Sequence, residues 1–502
     1  ALAPPLPERL TSLVCTPKMA LSLERQNKSD PSTWTMSQTD ASSLESRILA
    51  ALNANGIGAT SVELEAGKLK GGYICDTMRV FIGYGTSGNQ PKSPKGGARE
   101  EAQGRQFGTV ALSDLPKSVA DRPTTAILKM ASPESNDHDV ALRLRLYERE
   151  WHFYEHMASR VPVRVPMHLG SVKDEATGLN TEGVLLEDLC VPGAELCPRL
   201  DDNGVMRTVA HMAKQHAQFW NLPELSSGAL GIKPHNAPWF QPVWGNDLAG
   251  YWPRFEAKWR ARAGGDAMGP GLPEQAFTIG KAIVDDFAWI QDELSSKPHT
   301  FNHGDVKPPN MFMMSGNTPA FFDWQYTAVG KGCQDILFFL IEGYEVEECR
   351  RLEPIVIAHY HSSLVQRGVT NYTLNDLRRD WKLACMHFPL YVALWFGTTS
   401  DEDLVDPSFP RRFVPRAFDA IIRNQAHELL PTFTAKVQAV PTGPDAVDVA
   451  APYPTDFATC TAVLAETRVA LADTRRQRDA LKAAVAAINA AAAAATSTFA
   501  MM

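Results

Sequence analysis

His303-Gly304-Asp305-Val306-Lys307-Pro308-Pro309-Asn310, followed by Phe321-Phe322-Asp323-Trp324-Gln325, is the stretch that decides how this chain is read. Transfer of a phosphoryl group from ATP to an alcohol needs one carboxylate beside the acceptor hydroxyl, and oxygen ligands for Mg²⁺ on the phosphates. This short segment can supply all of them. Residues 311–314 and 319–322 are apolar runs around Ser315-Gly316-Asn317-Thr318, a turn composition. Pairing Met314 with Pro319 across that turn places Asn310 opposite Asp323. Directly opposed residues have Cβ atoms roughly 4.5–5.5 Å apart, close enough to share one cation. Asp305, one tight loop earlier, is then the candidate base for the alcohol proton. Lys307, two residues beyond it, is placed to neutralise charge on the transferring phosphate.

Composition bounds the alternatives. The chain has 502 residues, enough for a substantial core and for several domains. Lys and Arg number 49 against 57 Asp and Glu, and no long basic run occurs, which argues against nucleic acid as a partner. The cysteines at 15, 75, 190, 197, 333, 349, 385 and 460 show no C-x-x-C spacing. That argues against a zinc site and for reduced thiols in a cytoplasmic compartment. No internal stretch has the apolar length of a membrane span, and the alanine-rich end from Ala483 to Met502 inserts poorly.

The catalytic segment resembles the aminoglycoside phosphotransferase-like superfamily and, more narrowly, its ecdysteroid-kinase-like branch. The resemblance runs from about Gly67 to about Gly397, through Glu150-Trp-His-Phe-Tyr154, Val163-Arg-Val-Pro166, Leu185-Leu-Glu-Asp-Leu189 and His216-Ala-Gln-Phe-Trp220. It continues through Trp252-Pro-Arg-Phe255, Asp335-Ile-Leu-Phe-Phe339 and Tyr372-Thr-Leu374. It implies an α+β, two-lobed protein-kinase-like fold: a small N-lobe sheet with one helix and a larger, mainly helical C-lobe. It also implies ATP and Mg²⁺, and an alcohol acceptor that is hydrophobic or sterol-like. Lys307 departs from the branch's usual pattern and is more typical of serine/threonine protein kinases. No acidic run marks a cationic acceptor site near the catalytic segment.

Other positions take their expected roles from this resemblance. Lys129 lies on the apolar strand Thr125-Ala-Ile-Leu-Lys-Met130, where an unpaired charge is costly. Glu150 falls in a helical stripe with Leu146, Phe153 and Met157, and Glu148 is its rival as partner for Lys129. From the residues alone, Lys129 could equally be a strand-end side chain reaching water. The resemblance makes it the lysine held by a helix glutamate against the α- and β-phosphates. Gly71 and Gly72 sit where a nucleotide-covering loop belongs, since glycines let backbone N–H groups approach phosphates. Glu187 to Leu189 read as the inter-lobe hinge, with backbone groups for adenine. Asp335 and His303 read as braces of the catalytic loop. Trp324 reads as packing. Trp381, His387, Phe388, Tyr391, Trp395 and Phe396 read mostly as helix core, with one or two rings left for an apolar acceptor.

The expected organisation is a disordered leader over 1–44, an N-lobe over 45–189, a C-lobe over 190–437, a linker over 438–458 and an Ala-rich helical tail over 459–502. Within the N-lobe, strands are expected at residues 62–66, 77–84 and 125–130, a mobile insertion at 85–104, and one helix from Val140 to Met157. The leader is poor in periodicity, and Met36 is a plausible native start. An organellar transit peptide is the alternative, weakened by Glu8 and Glu24. The tail offers a surface for self-association. Two rival functions stand beside the small-molecule phosphotransferase. A protein kinase is suggested by Asp305-x-Lys307-x-x-Asn310, though no activation segment or APE-like anchor follows. A non-catalytic nucleotide-binding scaffold is the other.

Overall fold

The computed structural model describes residues 38–65, 74–85, 122–133, 135, 137–261, 271–404 and 406–433. The chain divides into two units, Ala1–Val437 and Gln438–Met502, and every described residue belongs to the first. Residues 1–37, Gly71, Gly72, the insertion beyond Gly85, the linker and the tail lie outside the described residues.

The N-lobe contains α1 (Gln38–Ala54), β1 (Ser61–Leu64), β2 (Cys75–Gly83), β3 (Thr125–Ala131), α2 (His138–Arg143), α3 (Leu146–His152), β4 (His168–Lys173) and β5 (Thr181–Glu187). The strands form one antiparallel sheet in the order β1-β2-β3-β5-β4. Successive strand residues point to opposite faces. In β5 this sends Leu185 into a cluster with Leu44, Ile48 and Leu52 of α1, while Val184 and Leu186 join the main core that includes Trp151 of α3. Each such buried aliphatic side chain contributes about 1.5–3 kcal/mol. α1 thus seals the outer face of the sheet, and its first turn begins at Gln38, seven residues before the expected start of the lobe, so 38–44 is helix where a disordered leader was expected.

The helix expected over residues 140–157 is broken. Arg145 adopts a left-handed backbone (φ 52°), which ends α2 and starts α3 on a new axis, and residues 153–157 continue as a π-helical turn. Amphipathic spacing does not register such a kink, because one left-handed residue re-aims the axis while leaving the apolar stripe in place.

The C-lobe follows with β6 (Glu195–Leu196), α4 (Asp202–Gln218), α5 (Pro223–Ser226), α6 (Gln241–Ala261), α7 (Glu274–Asp285) and α8 (Phe287–Ser295). Next come β7 (Thr300–Asn302), β8 (Met311–Met314), β9 (Thr318–Phe321), β10 (Ala328–Gly330), α9 (Cys333–Gly343) and α10 (Val346–Gln366). α11 (Leu374–Cys385), α12 (Phe388–Thr398) and α13 (Phe409–Arg423) complete it. The α+β, two-lobed architecture is the expected one. Trp381, His387 and Tyr391 are buried core, as their helical spacing suggested, and Trp395 and Phe396 are half-buried. Among the described residues no helix is long and apolar enough to cross a membrane.

Candidate active site

The N-lobe contribution is built on β3. Thr77 and Val184 flank Lys129 across the sheet, and its ammonium leaves the sheet toward α3. Lys129 Nζ donates to Glu150 Oε1 at 2.6 Å and to Asp323 Oδ1 at 2.6 Å. Glu150 is fully buried, whereas Glu148 is exposed, so the structure gives the lysine to Glu150. Burial opposes the charge on Lys129, but Asp323 and Glu150 outweigh it and hold the ammonium protonated. Burial likewise pushes the Glu150 carboxyl upward against the pull of Lys129. Arg149, the neighbour of Glu150 on α3, donates from Nε and Nη2 to Thr327 O at 3.1 and 2.5 Å. That pins α3 to the segment just beyond Asp323.

The candidate catalytic loop, residues 303–310, is fixed from beneath by one carboxylate. Asp335, in the first turn of α9, accepts from His303 N (2.9 Å) and Gly304 N (2.8 Å), and His216 Nε2 lies 3.1 Å from it. Gly304 has φ 88°, and a Cβ there would meet Tyr326 O at 2.0 Å, so only glycine fits. Asp305 N donates to His303 Nδ1, which makes Nε2 the protonated nitrogen and the donor to Phe322 O at 3.0 Å. Burial holds the His303 ring below its ordinary range, so it stays neutral in this bracing role. Trp324 is packed flat against Phe153, ring centroids 3.9 Å apart.

Asp305 itself is 2% exposed. Its Oδ2 accepts from Asn310 Nδ2 at 2.9 Å and lies 3.0 Å from Lys307 Nζ. Its Oδ1 is buried and has no hydrogen-bond partner. Burial raises the carboxyl to about 6, with Lys307 pulling it back down. Asn310 Nδ2 also donates to Asp305 O at 2.9 Å, so the amide N–H₂ is engaged and its Oδ1 is the group left for a ligand.

The hairpin register differs by one residue from expectation. Met314 pairs with Thr318, Met313 with Pro319 and Met311 with Phe321, so the turn is the three-residue Ser315-Gly316-Asn317, with Gly316 (φ 80°) and Asn317 (φ 59°) left-handed. Thr318 is β-branched and joins the strand, which the four-residue turn reading missed. Asn310 therefore faces Phe322, whose N–H donates to Asn310 O at 3.1 Å. A one-residue slip alone would turn Asp323 to the wrong side. Asp323 adopts φ 67°, and with that turn its carboxylate reaches Lys129. Burial works to raise Asp323, but Lys129 and then Lys307 outweigh it and hold it below the usual carboxylate range.

The sequence profile of the ecdysteroid kinase-like family matches residues 113–370, just over half of the chain. The chain belongs to that family. Its fold is protein-kinase-like, and as a member of the family it is a small-molecule kinase. No curated protein is significantly similar to it in sequence. Among solved structures it is similar to a choline kinase from Cryptosporidium parvum Iowa II at 10% identity, over 79% of this chain and 99% of that one, with TM-score 0.41. It is also similar to a Plasmodium vivax ethanolamine kinase (12%, 75% and 85%, TM-score 0.37). A macrolide 2′-phosphotransferase from Brachybacterium faecium is a third (15%, 76% and 98%, TM-score 0.37). At these values the structural matches say nothing about what the chain acts on.

At the hinge, Leu189 is buried with Phe312 and Ala320, with Phe322 and Met314 packed beside them, an apolar shelf next to Asp323. The Glu187 side chain is engaged by Arg164 Nη2 (2.5 Å) and Met167 N (3.1 Å), and its own N–H donates to Met167 O at 2.9 Å. Gln325 Nε2 reaches Asp323 Oδ2 at 3.3 Å. Sequence reasoning overlooked Glu342, which ends the buried run of α9 and whose Oε2 is buried without a partner. A charged residue closing an apolar helix was its only signal.

Proposed function

We propose that the protein transfers the γ-phosphate of ATP to a hydroxyl of a small alcohol, with Asp305 as base. The observation that carries this is the orphaned Oδ1 of Asp305. A buried carboxylate oxygen without a partner is costly, and an acceptor hydroxyl satisfies it. With its proton affinity raised by burial, Asp305 is better matched to an alcohol proton than an ordinary carboxylate, yet still ionised at pH 7. Oδ2 stays fixed by Asn310 and Lys307, so the carboxylate cannot rotate away from the acceptor.

Lys129 is the phosphate-positioning cation, held by Glu150. Asn310 Oδ1 and the Asp323 carboxylate fit a Mg²⁺ site: two hard oxygen groups on one hairpin, a ligand set that leaves positions for phosphate oxygens. Mg²⁺ bound there would neutralise charge across the phosphates. Lys307, already paired with Asp305, supplies positive charge where the γ-phosphate meets the acceptor. Family membership favours a hydrophobic or sterol-like alcohol. Of the aromatic set in α11 and α12, Phe388 packs on Tyr326 (centroids 5.0 Å), whose carbonyl lies against Gly304. It is the ring best linked to the acceptor side of the loop.

The test is Mg²⁺-dependent ADP release across a panel of alcohols. Stimulation by apolar alcohols is expected. ATP binding with no stimulation by any small alcohol, but phosphate transfer to generic protein acceptors, would replace this reading with a protein kinase.

A further inference from the structure

Among the described residues, two carboxylate oxygens are buried with no hydrogen-bond partner: Asp305 Oδ1 and Glu342 Oε2. They lie on different elements, the catalytic loop and the last turn of α9, and both carboxylates act on Lys307. A Cβ on Gly343 would meet Pro308 Cγ at 3.1 Å, so the end of α9 abuts the loop directly after Lys307. After Asp305, Glu342 is the charge that most stabilises the Lys307 ammonium.

The nearby arginines do not account for Glu342. Arg412 Nη2 is paired with Asp406 Oδ2 at 2.7 Å. Arg416 is bound to Glu345 and to the backbone carbonyls of Ile341 and Glu342, not to the Glu342 side chain. Lys307 Nζ contacts Asp305 and leaves Glu342 Oε2 without a hydrogen bond. An unsatisfied buried carboxylate oxygen costs about 1–3 kcal/mol or more, so a donor that reaches Glu342 Oε2 is stabilising. One orphan beside Lys307 is already explained by the reacting hydroxyl. The second is open to a second donor.

We infer that Glu342 is a specificity residue that accepts a hydrogen bond from a second donor group of the acceptor, a hydroxyl or an ammonium next to the hydroxyl that is phosphorylated. Preferred acceptors are therefore vicinal diols or amino alcohols, with simple mono-alcohols disfavoured. This rests on Asp305 as the base that takes the reacting hydroxyl. The selectivity has a physical source: a mono-alcohol leaves Glu342 Oε2 unpaired in the closed complex, and a buried polar group left unpaired discriminates strongly.

The experiment compares kcat/KM for cyclohexanol, cis-cyclohexane-1,2-diol and cis-2-aminocyclohexanol, and for a monohydroxy sterol against a vicinal dihydroxy sterol. Each is measured in wild type, Glu342→Leu and Glu342→Gln, with the KM for ATP followed in parallel. Wild type is expected to favour the two-donor partner of at least one pair by about tenfold or more. Leucine abolishes that ratio without moving the KM for ATP, which a merely structural disturbance would move. Glutamine keeps an acceptor oxygen but no charge. Retention of the preference in Glu342→Gln identifies a hydroxyl donor, and its loss identifies an ammonium. Turnover without any two-donor preference, or a preference that survives in Glu342→Leu, overturns the role of Glu342 and leaves the phosphotransferase standing. Absence of turnover with every alcohol overturns the phosphotransferase reading itself, and Glu342 with it.

Discussion

Asp305→Asn separates function from stability, and the two effects have opposite signs. The carboxyl is raised from an ordinary 3.8 to about 6 by burial. At about 1.36 kcal/mol per pKa unit, the ionised form costs the folded protein about 3 kcal/mol. Asparagine resembles the protonated acid in shape and charge. Its carbonyl can take the Lys307 and Asn310 side, and its amide the side where Oδ1 has no partner. The variant is therefore expected to be more stable by up to about 3 kcal/mol at pH 8, roughly 3–6 °C in Tm. The gain depends on pH with a defined sign. Because the folded-state value lies above the unfolded one, the cost is fully present above pH 6 and disappears as pH falls below 3.8. The difference in Tm between variant and wild type should shrink from pH 8 toward pH 4. Activity moves the other way: without a base, kcat should fall about 10²–10⁴-fold. Thermal melts at several pH values and ADP release on the same preparations check both. A variant less stable than wild type at pH 8, or one that keeps its kcat, would refute the reasoning.

Lys129→Met leaves Glu150 and Asp323 facing each other without their shared cation, and is expected to cost about 3–5 kcal/mol in urea unfolding. The same variant should lose ATP binding in titration calorimetry; unchanged affinity would remove Lys129 from the phosphate site. The acid limb of kcat/KM should lie near pH 6, and Lys307→Met should move it upward, since Lys307 holds the Asp305 carboxyl down. Asp335→Ala strands two loop N–H groups and His216. It should cost about 3–5 kcal/mol and lower kcat with little change in the KM for ATP, because the loop and not the nucleotide cleft loses its support.

Much of the candidate site could be located from the sequence because its residues come in short, ordered segments. The spacing from Asp305 to Asn310 and from Phe321 to Asp323 reflects a loop and a hairpin too short to rearrange. Lys129 stood out as a charge on an apolar strand, and Glu150 as a carboxylate in a buried stripe. The register of the hairpin did not follow, since three- and four-residue turns share the composition Ser-Gly-Asn-Thr. Backbone handedness decides between them, and it is also what re-aims Asp323. The break at Arg145 escaped for the same reason.

The sequence by itself determined the chemistry: which carboxylates, amide and lysines are available, and the order in which the chain delivers them. That information is local, carried by residue type and by spacing over a few positions. Only the tertiary structure decided which of these groups meet. Lys129 takes Glu150 over Glu148 because the axis of α3 is set by the left-handed Arg145 and by the grip of Arg149 on Thr327. Glu342 enters the site because α9 ends against Pro308. Whether a buried carboxylate oxygen has a partner depends on every element packed around it, and no stretch of sequence contains that.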